Sequence, residues 1–152
     1  MASGNITLFS KNKADINITD IVGATVKLAL VSSAWTPDAT VTGNSLWADM
    51  SASEITGGTG YTTGGAALTS MVATAITSGY KFSSANVSWT ASGGSIAAWR
   101  YAVIYVSGTL WGKVNPVIGY FLGDTTPADI PATTTGNTLT INTPATGWFD
   151  AT

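Results

Sequence analysis

The run Trp99-Arg100-Tyr101-Ala102-Val103-Ile104-Tyr105-Val106 constrains this chain more than any other stretch. It is aromatic and β-branched, with a single charge and no polar alternation, which predicts a strand buried on both faces. Helix is the competing reading of residues 96–106, because Ala97 and Ala98 tolerate it. The Gly and Pro punctuation on either side favours strand. Val87-Ser88-Trp89 comes before it, across a turn through Gly93-Gly94. Val117-Ile118-Gly119-Tyr120-Phe121 comes after it and ends at Gly123-Asp124. Together the three short runs predict a β-meander at the centre of a sheet.

The remaining segments extend this pattern. Thr25 to Val31 predicts a strand with Lys27 as its only charge, followed by a loop whose turns fall at Pro37-Asp38 and Gly43-Asn44. Leu46 to Met50 reads as one helical turn, and Ser51 or Ser53 caps a second, with Glu54 in its first positions. Five glycines between Gly57 and Gly65 predict two tight turns around Tyr61, since glycine takes positive φ without strain. Residues 66–77 read as one long, bulged strand, and Tyr80-Lys81-Phe82 opens the hairpin into the meander. Pro127 and Pro131 hold the linker after Gly123 extended. In the last strand Leu139 and Ile141 point one way, and Thr138, Thr140 and Asn142 the other. Trp148-Phe149 closes one end of the core.

Roughly eight strands joined by loops of varied length predict an all-β chain. The expected architecture is a single antiparallel β-sandwich, jelly-roll or Greek-key like, with one or two short helical turns. Residues 1–15 read as an N-terminal arm and residues 16–152 as the sandwich domain.

Composition narrows the function. Only 9% of the 152 residues are charged, against about 25% in an average soluble domain. The surface is therefore polar through hydroxyls and backbone, a composition common in β-rich proteins that pack against copies of themselves. Net charge is −2 and the basic residues are scattered, which disfavours nucleic acid as a partner. Cysteine and histidine are both absent, which removes disulfides, thiolate metal sites, the usual general base and any Ser-His-Asp arrangement. No apolar run approaches the roughly 20 residues that span a bilayer, and no secretory signal is visible, so synthesis in a cytoplasm is expected. The Asn-x-Ser/Thr triplets at Asn5, Asn17 and Asn86 read as chance products of a Thr-rich chain.

Each chemical candidate has a plainer reading beside it. The glycine loop lacks the Lys-Ser/Thr ending of a phosphate cradle and is followed by a strand. Asp49 and Glu54 offer a carboxylate pair of the kind glycoside cleavage needs, or a helix cap and a solvated charge. Asp124 and Asp129 offer oxygens to calcium, without the spacing of a known calcium loop. Trp89 and Trp99 fall in strands and belong to the core. Trp35, Trp47 and Trp111 fall in loops, where exposed aromatics mark a subunit interface or, less favoured, a sugar platform. Arg100, alone in the hydrophobic centre, needs a partner: Asp49, Glu54 or a neighbouring protein.

These pieces also occur in a familiar order. Leu28-Ala29-Leu30-Val31 leads to Trp47-Ala48-Asp49-Met50-Ser51-Ala52-Ser53-Glu54-Ile55, and then to Gly58-Thr59-Gly60-Tyr61-Thr62-Thr63-Gly64-Gly65-Ala66-Ala67-Leu68. After these come the tryptophan-ended strand Val87-Ser88-Trp89, Trp99 to Tyr105 in the place of an "ARYAVIY" core, and Pro116 to Gly123 in the place of "PLIGYFDFG". Gly147-Trp148-Phe149 closes the series. Across residues 16 to 149 this resembles a family of small structural proteins of tailed-bacteriophage virions. Leu122 departs from the acidic residue of "DFG", which puts any polar contact made there by relatives in doubt.

The resemblance implies a non-enzymatic head decoration (cement) protein on the outside of the capsid, stabilising the shell. It implies the major capsid protein as partner, a homotrimer over the joints of the head, and no cofactor, metal, nucleic acid or membrane. The arm, with Phe9, Lys11 and Lys13, then serves as a clamp that orders on binding, and joins Trp35, Trp47 and Trp111 as the candidate interface. The alternatives are a head- or tail-fibre or carbohydrate-binding β-sandwich module using the loop tryptophans, and a carboxylate hydrolase.

Overall fold

Residues 101–106 do form the central strand, hydrogen-bonded on both sides. The computed structural model of the protein describes residues 6–126 and 128–151. In chain order the elements are β1 (Thr7–Leu8), α1 (Ile18–Val22), β2 (Val26–Val31), 3₁₀ turns at Trp47–Asp49 and Ser51–Ser53, β3 (Ala66–Ala67), β4 (Val72–Ile76) and β5 (Gly79–Ser83). They continue with β6 (Val87–Thr90), β7 (Tyr101–Val106), β8 (Thr109–Leu110), β9 (Lys113–Val114), β10 (Val117–Leu122), β11 (Thr138–Ile141) and β12 (Phe149–Ala151). Among the described residues every strand pairing is antiparallel, and the fold is all-β and sandwich-like.

The main sheet has the order β1-β10-β7-β2-β3. One of its faces packs against β6-β11 and β12-β5-β4. Period-two geometry sends Leu28, Leu30, Ala102 and Ile104 into that core, where Phe82, Trp89, Leu139, Trp148 and Phe149 meet them. The opposite face carries Ala29, Val31, Val103 and Tyr105. It is covered by Phe9 and by the loop bearing Trp35, Trp47 and Met50. The central strand is therefore apolar on every position because it has a sheet on one side and a loop on the other.

A bulge between Val117 and Gly119 adds one residue to β10. Val117 and Tyr120, three positions apart, therefore share the loop-covered side, while Ile118 and Phe121 face the sandwich core. Gly119 is required there, because a Cβ would lie 2.6 Å from Ile6 Cδ1 and 2.8 Å from the Thr7 carbonyl oxygen. That space is what lets β1 lie against β10.

Several expectations need correction. β6 is not part of a meander with β7; it pairs with β11, because residues 91–99 carry the chain across to the other layer. The long strand over 66–77 is two strands in different sheets, separated by Ser70 at φ 51°. The linker after Gly123 is partly paired, Ile130 bridging Trp99 and Thr133 bridging Ile96. The arm is built into the fold from Ile6 onward. The Ile6 amide donates to the Trp148 carbonyl, Phe9 is fully buried, and Asn12 is buried as well. Residues 1–5, and with them the start of the expected clamp, lie outside the described residues, as does Pro127.

The two 3₁₀ turns fall where the helical turns are expected, but no serine caps the second, whose N-cap is Met50 and whose C-cap is Glu54. Asp49 caps the first. Its Oδ2 accepts from the Ser45 and Leu46 amides at 2.8 and 3.0 Å. The five-residue helix α1 is unanticipated; Asn17 caps it by accepting from the Thr19 amide.

Candidate functional surface

The candidate interface residues separate once placed in the fold. Phe9, Trp35 and Trp47 are buried, at 0%, 6% and 8% exposure, and so present no ring to a partner or a sugar. Trp47 lies flat on Tyr105, and Trp35 meets Tyr101 and Tyr120 edge to face. A loop position in sequence did not mean exposure, because this loop is the cover of the main sheet. Trp111 is half-buried, and its indole N–H donates to Asp20 Oδ2. Lys11 is exposed and donates to the Gly43 carbonyl, and Lys13 is exposed as well.

The candidate ion pair also resolves differently. Arg100 Nε donates to Asp129 Oδ1 at 2.8 Å, at a half-open rim rather than in the core. Neither proposed partner is free for it. Asp49 is taken up by its capping bonds. Glu54 Oε1 accepts from the Tyr61 hydroxyl at 2.7 Å and from the Gly64 amide at 2.6 Å.

The glycine loop makes its two turns around Tyr61, with bonds from the Gly58 amide to the Tyr61 carbonyl and from the Gly65 amide to the Thr62 carbonyl. Gly65, at φ 75°, sits where a Cβ would be 2.1 Å from the Leu28 carbonyl oxygen, so the loop lies directly on β2. Tyr61 is buried, accepts from the Leu30 amide and donates to Glu54. Burial pushes its phenol far above the usual range. Burial, with the nearby Glu54 charge, pushes Tyr105 up to about 12; its hydroxyl donates to the Gly64 carbonyl. Both phenols are thus held as neutral donors, and the cluster fastens a loop.

Asp124 closes a local turn by accepting from the Thr126 amide and hydroxyl, which lower its pKa. Asp129 faces Arg100 instead, so the two do not act as a calcium pair. Among the described residues no group of three or more Asp or Glu side chains gathers closely enough to hold a metal ion. None of the described helices is long and apolar enough to cross a membrane.

An open surface does exist at the other end of the sandwich. In β12-β5-β4 the register aligns Ala73, Phe82 and Phe149 on the inward face, and two residues further it aligns Ala75, Tyr80 and Ala151. The first row is core. The second row runs past it, which leaves Tyr80 54% exposed. Ile16, Ile18, Ala73 and Tyr80, with the polar Asn17 and Thr19, line a groove of about 390 Å³ here. A second hollow of about 280 Å³, lined by Leu8, Lys13, Phe149 and Asp150, shares Ile16 and Ala151 with the first, so the two run together. The outer edge of β12 has no strand partner among the described residues. Sequence reasoning missed this surface, because Tyr80 alone carries no signal until the register places it beside Ile16.

Comparison of the chain with protein-family models, with curated proteins and with solved structures found no match.

Proposed function

We propose that the protein is a non-enzymatic structural component of a bacteriophage virion, attached as a decoration protein to the outside of the head. The observation that carries this reading is the open groove beside Tyr80, partly apolar and partly polar, which ends at the unpaired edge of β12. Such a groove suits an extended segment of another protein: main-chain bonds form along the edge, and apolar side chains fill the hollows. The ordered resemblance across residues 16 to 149 supplies the virion context, with the major capsid protein as partner. A rigid sandwich repeated over a shell stabilises it by binding the assembled lattice better than free subunits. Trimerisation multiplies a modest contact through avidity.

The reading is tested by co-sedimentation with expanded heads of the phage that carries the gene. The wild type is expected to pellet with heads and to raise the temperature at which they open. Tyr80→Lys places a charge over the groove at an exposed position; it is expected to lose binding while unfolding at the wild-type temperature. A wild type that stays in the supernatant with every form of the head would overturn the decoration role.

A further inference from the structure

One polar cluster joins three segments that are far apart in sequence. Asn12 is completely buried, and its carboxamide is fixed at both ends. Nδ2 donates to the Ser45 carbonyl at 2.7 Å and to the Val117 carbonyl at 2.8 Å. Oδ1 accepts from Lys113 Nζ at 3.0 Å. Two carbonyls on one side and an amine on the other determine which amide atom is oxygen and which is nitrogen. Lys113 Nζ also lies 2.5 Å from Asp15 Oδ2. Asp15 stands one turn from Asn12, its amide bonded to the Asn12 carbonyl, so both side chains reach the same amine. Neither charged group is fully solvated: the side chains of Lys113 and Asp15 are 28% and 38% exposed.

An amine, a primary carboxamide and a carboxylate held together are the components of an amide exchange. We propose that Lys113 and Asn12 form an intramolecular isopeptide bond, with Asp15 as the proton carrier. The Lys113 ammonium first gives a proton to the Asp15 carboxylate, leaving a neutral amine. The amine lone pair attacks Asn12 Cγ, one bond from the oxygen it already touches, and the C=O electrons move to Oδ1. The attacking nitrogen passes a proton through Asp15 to Nδ2. The Cγ–Nδ2 bond breaks, its electron pair leaves with nitrogen as ammonia, and C=O re-forms. The proton left on Asp15 goes to the ammonia. The products are one secondary amide and one ammonium ion, with no oxidant or co-reactant consumed.

The fold supplies what this reaction lacks in water. The nucleophile and the amide belong to residues 101 positions apart, yet they are fixed in contact, which replaces a costly encounter with proximity. The two carbonyls that grip Nδ2 hold the nitrogen that departs. The resulting bond ties the segment before α1 to the β8–β9 hairpin and closes a long loop covalently, an effect that acts mainly on the unfolded chain. This inference stands apart from the proposed role on phage heads.

Intact mass and peptide mapping of the purified full chain test it. The wild type is expected to weigh one ammonia less than its sequence sum, and a digest is expected to yield a branched peptide joining Asn12 to Lys113. Lys113→Arg is expected to restore the full mass and abolish the branched peptide. Asp15→Asn, checked for folding by circular dichroism, is expected to leave most of the chain unlinked. A folded wild type that keeps its full mass after prolonged incubation at neutral pH, without a branched peptide, overturns the proposal. Undiminished linkage in Asp15→Asn overturns the role given to Asp15.

Discussion

The indole of Trp47 lies on the ring of Tyr105 with centroids 4.6 Å apart and planes 7° from parallel. This stack, with the Trp47 amide donating to the Asn115 carbonyl, fixes the covering loop to the main sheet. Trp47→Ala is expected to destabilise the protein by about 3 kcal/mol or more, the usual cost of deleting a buried aromatic. Trp47→Phe retains a ring and is expected to cost clearly less. Urea unfolding monitored by circular dichroism separates the two, and equal midpoints for wild type and Trp47→Ala would count against the covering role.

Phe9 tests the corrected view of the N-terminal segment. Its side chain has no exposure and packs against Trp35 and Tyr120. Phe9→Ala is expected to cost about 3–5 kcal/mol of stability. A free clamp would instead leave the unfolding midpoint unchanged and alter only binding.

The buried phenols predict the alkaline limit of the fold. An unfolded tyrosine ionises near pH 10, whereas Tyr105 is held at about 12 and Tyr61 is also raised. Between the unfolded and folded values the unfolded state has lost a proton that the native state keeps. Stability contributed by these groups is therefore complete below about pH 10 and is lost as pH rises above it. Tyr105→Phe is expected to flatten that fall while lowering stability near neutrality, because the Gly64 carbonyl loses its donor. Thermal unfolding from neutral pH to strongly alkaline pH measures both effects.

Arg100 and Asp129 form a partly solvated pair, with side chains 27% and 43% exposed. A double-mutant cycle on Arg100→Ala and Asp129→Ala is expected to give a coupling below about 1 kcal/mol that shrinks further in high salt. A coupling of several kcal/mol would place the pair in a far less polar setting than its exposure indicates.

The legible parts of the sequence were those where one physical signal acts alone. The both-faces-apolar run at 101–106, the alternation at 138–141 and the glycine turns around Tyr61 each fix local structure without long-range help. Pairing partners were not legible. Val87 to Trp89 has the same pattern whether its neighbour is β7 or β11, and only the path of residues 91–99 decides. The loop tryptophans misled for a related reason. Turn residues around Trp35 and Trp47 mark a loop correctly, but burial depends on a sheet face that is itself distant in sequence. Arg100 signalled its need for a carboxylate, while Asp129 sat in a Thr- and Pro-rich segment that gave no hint of pairing.

The bond between the Ile6 amide and the Trp148 carbonyl has a consequence for assembly in time. β1 lies on β10, and Ile6 reaches a residue made long after it, so the start of the fold waits for its end. During synthesis β2 has β7 to wait for, and β6 has β11. The β4–β5 hairpin can form early, but β1 and β6 stay unpaired until β10 and β11 emerge, and such distant pairings slow folding. Sparse charge offers these waiting segments little mutual repulsion. Completion waits for Trp148 and Phe149, whose seating in the core brings β12 against β5.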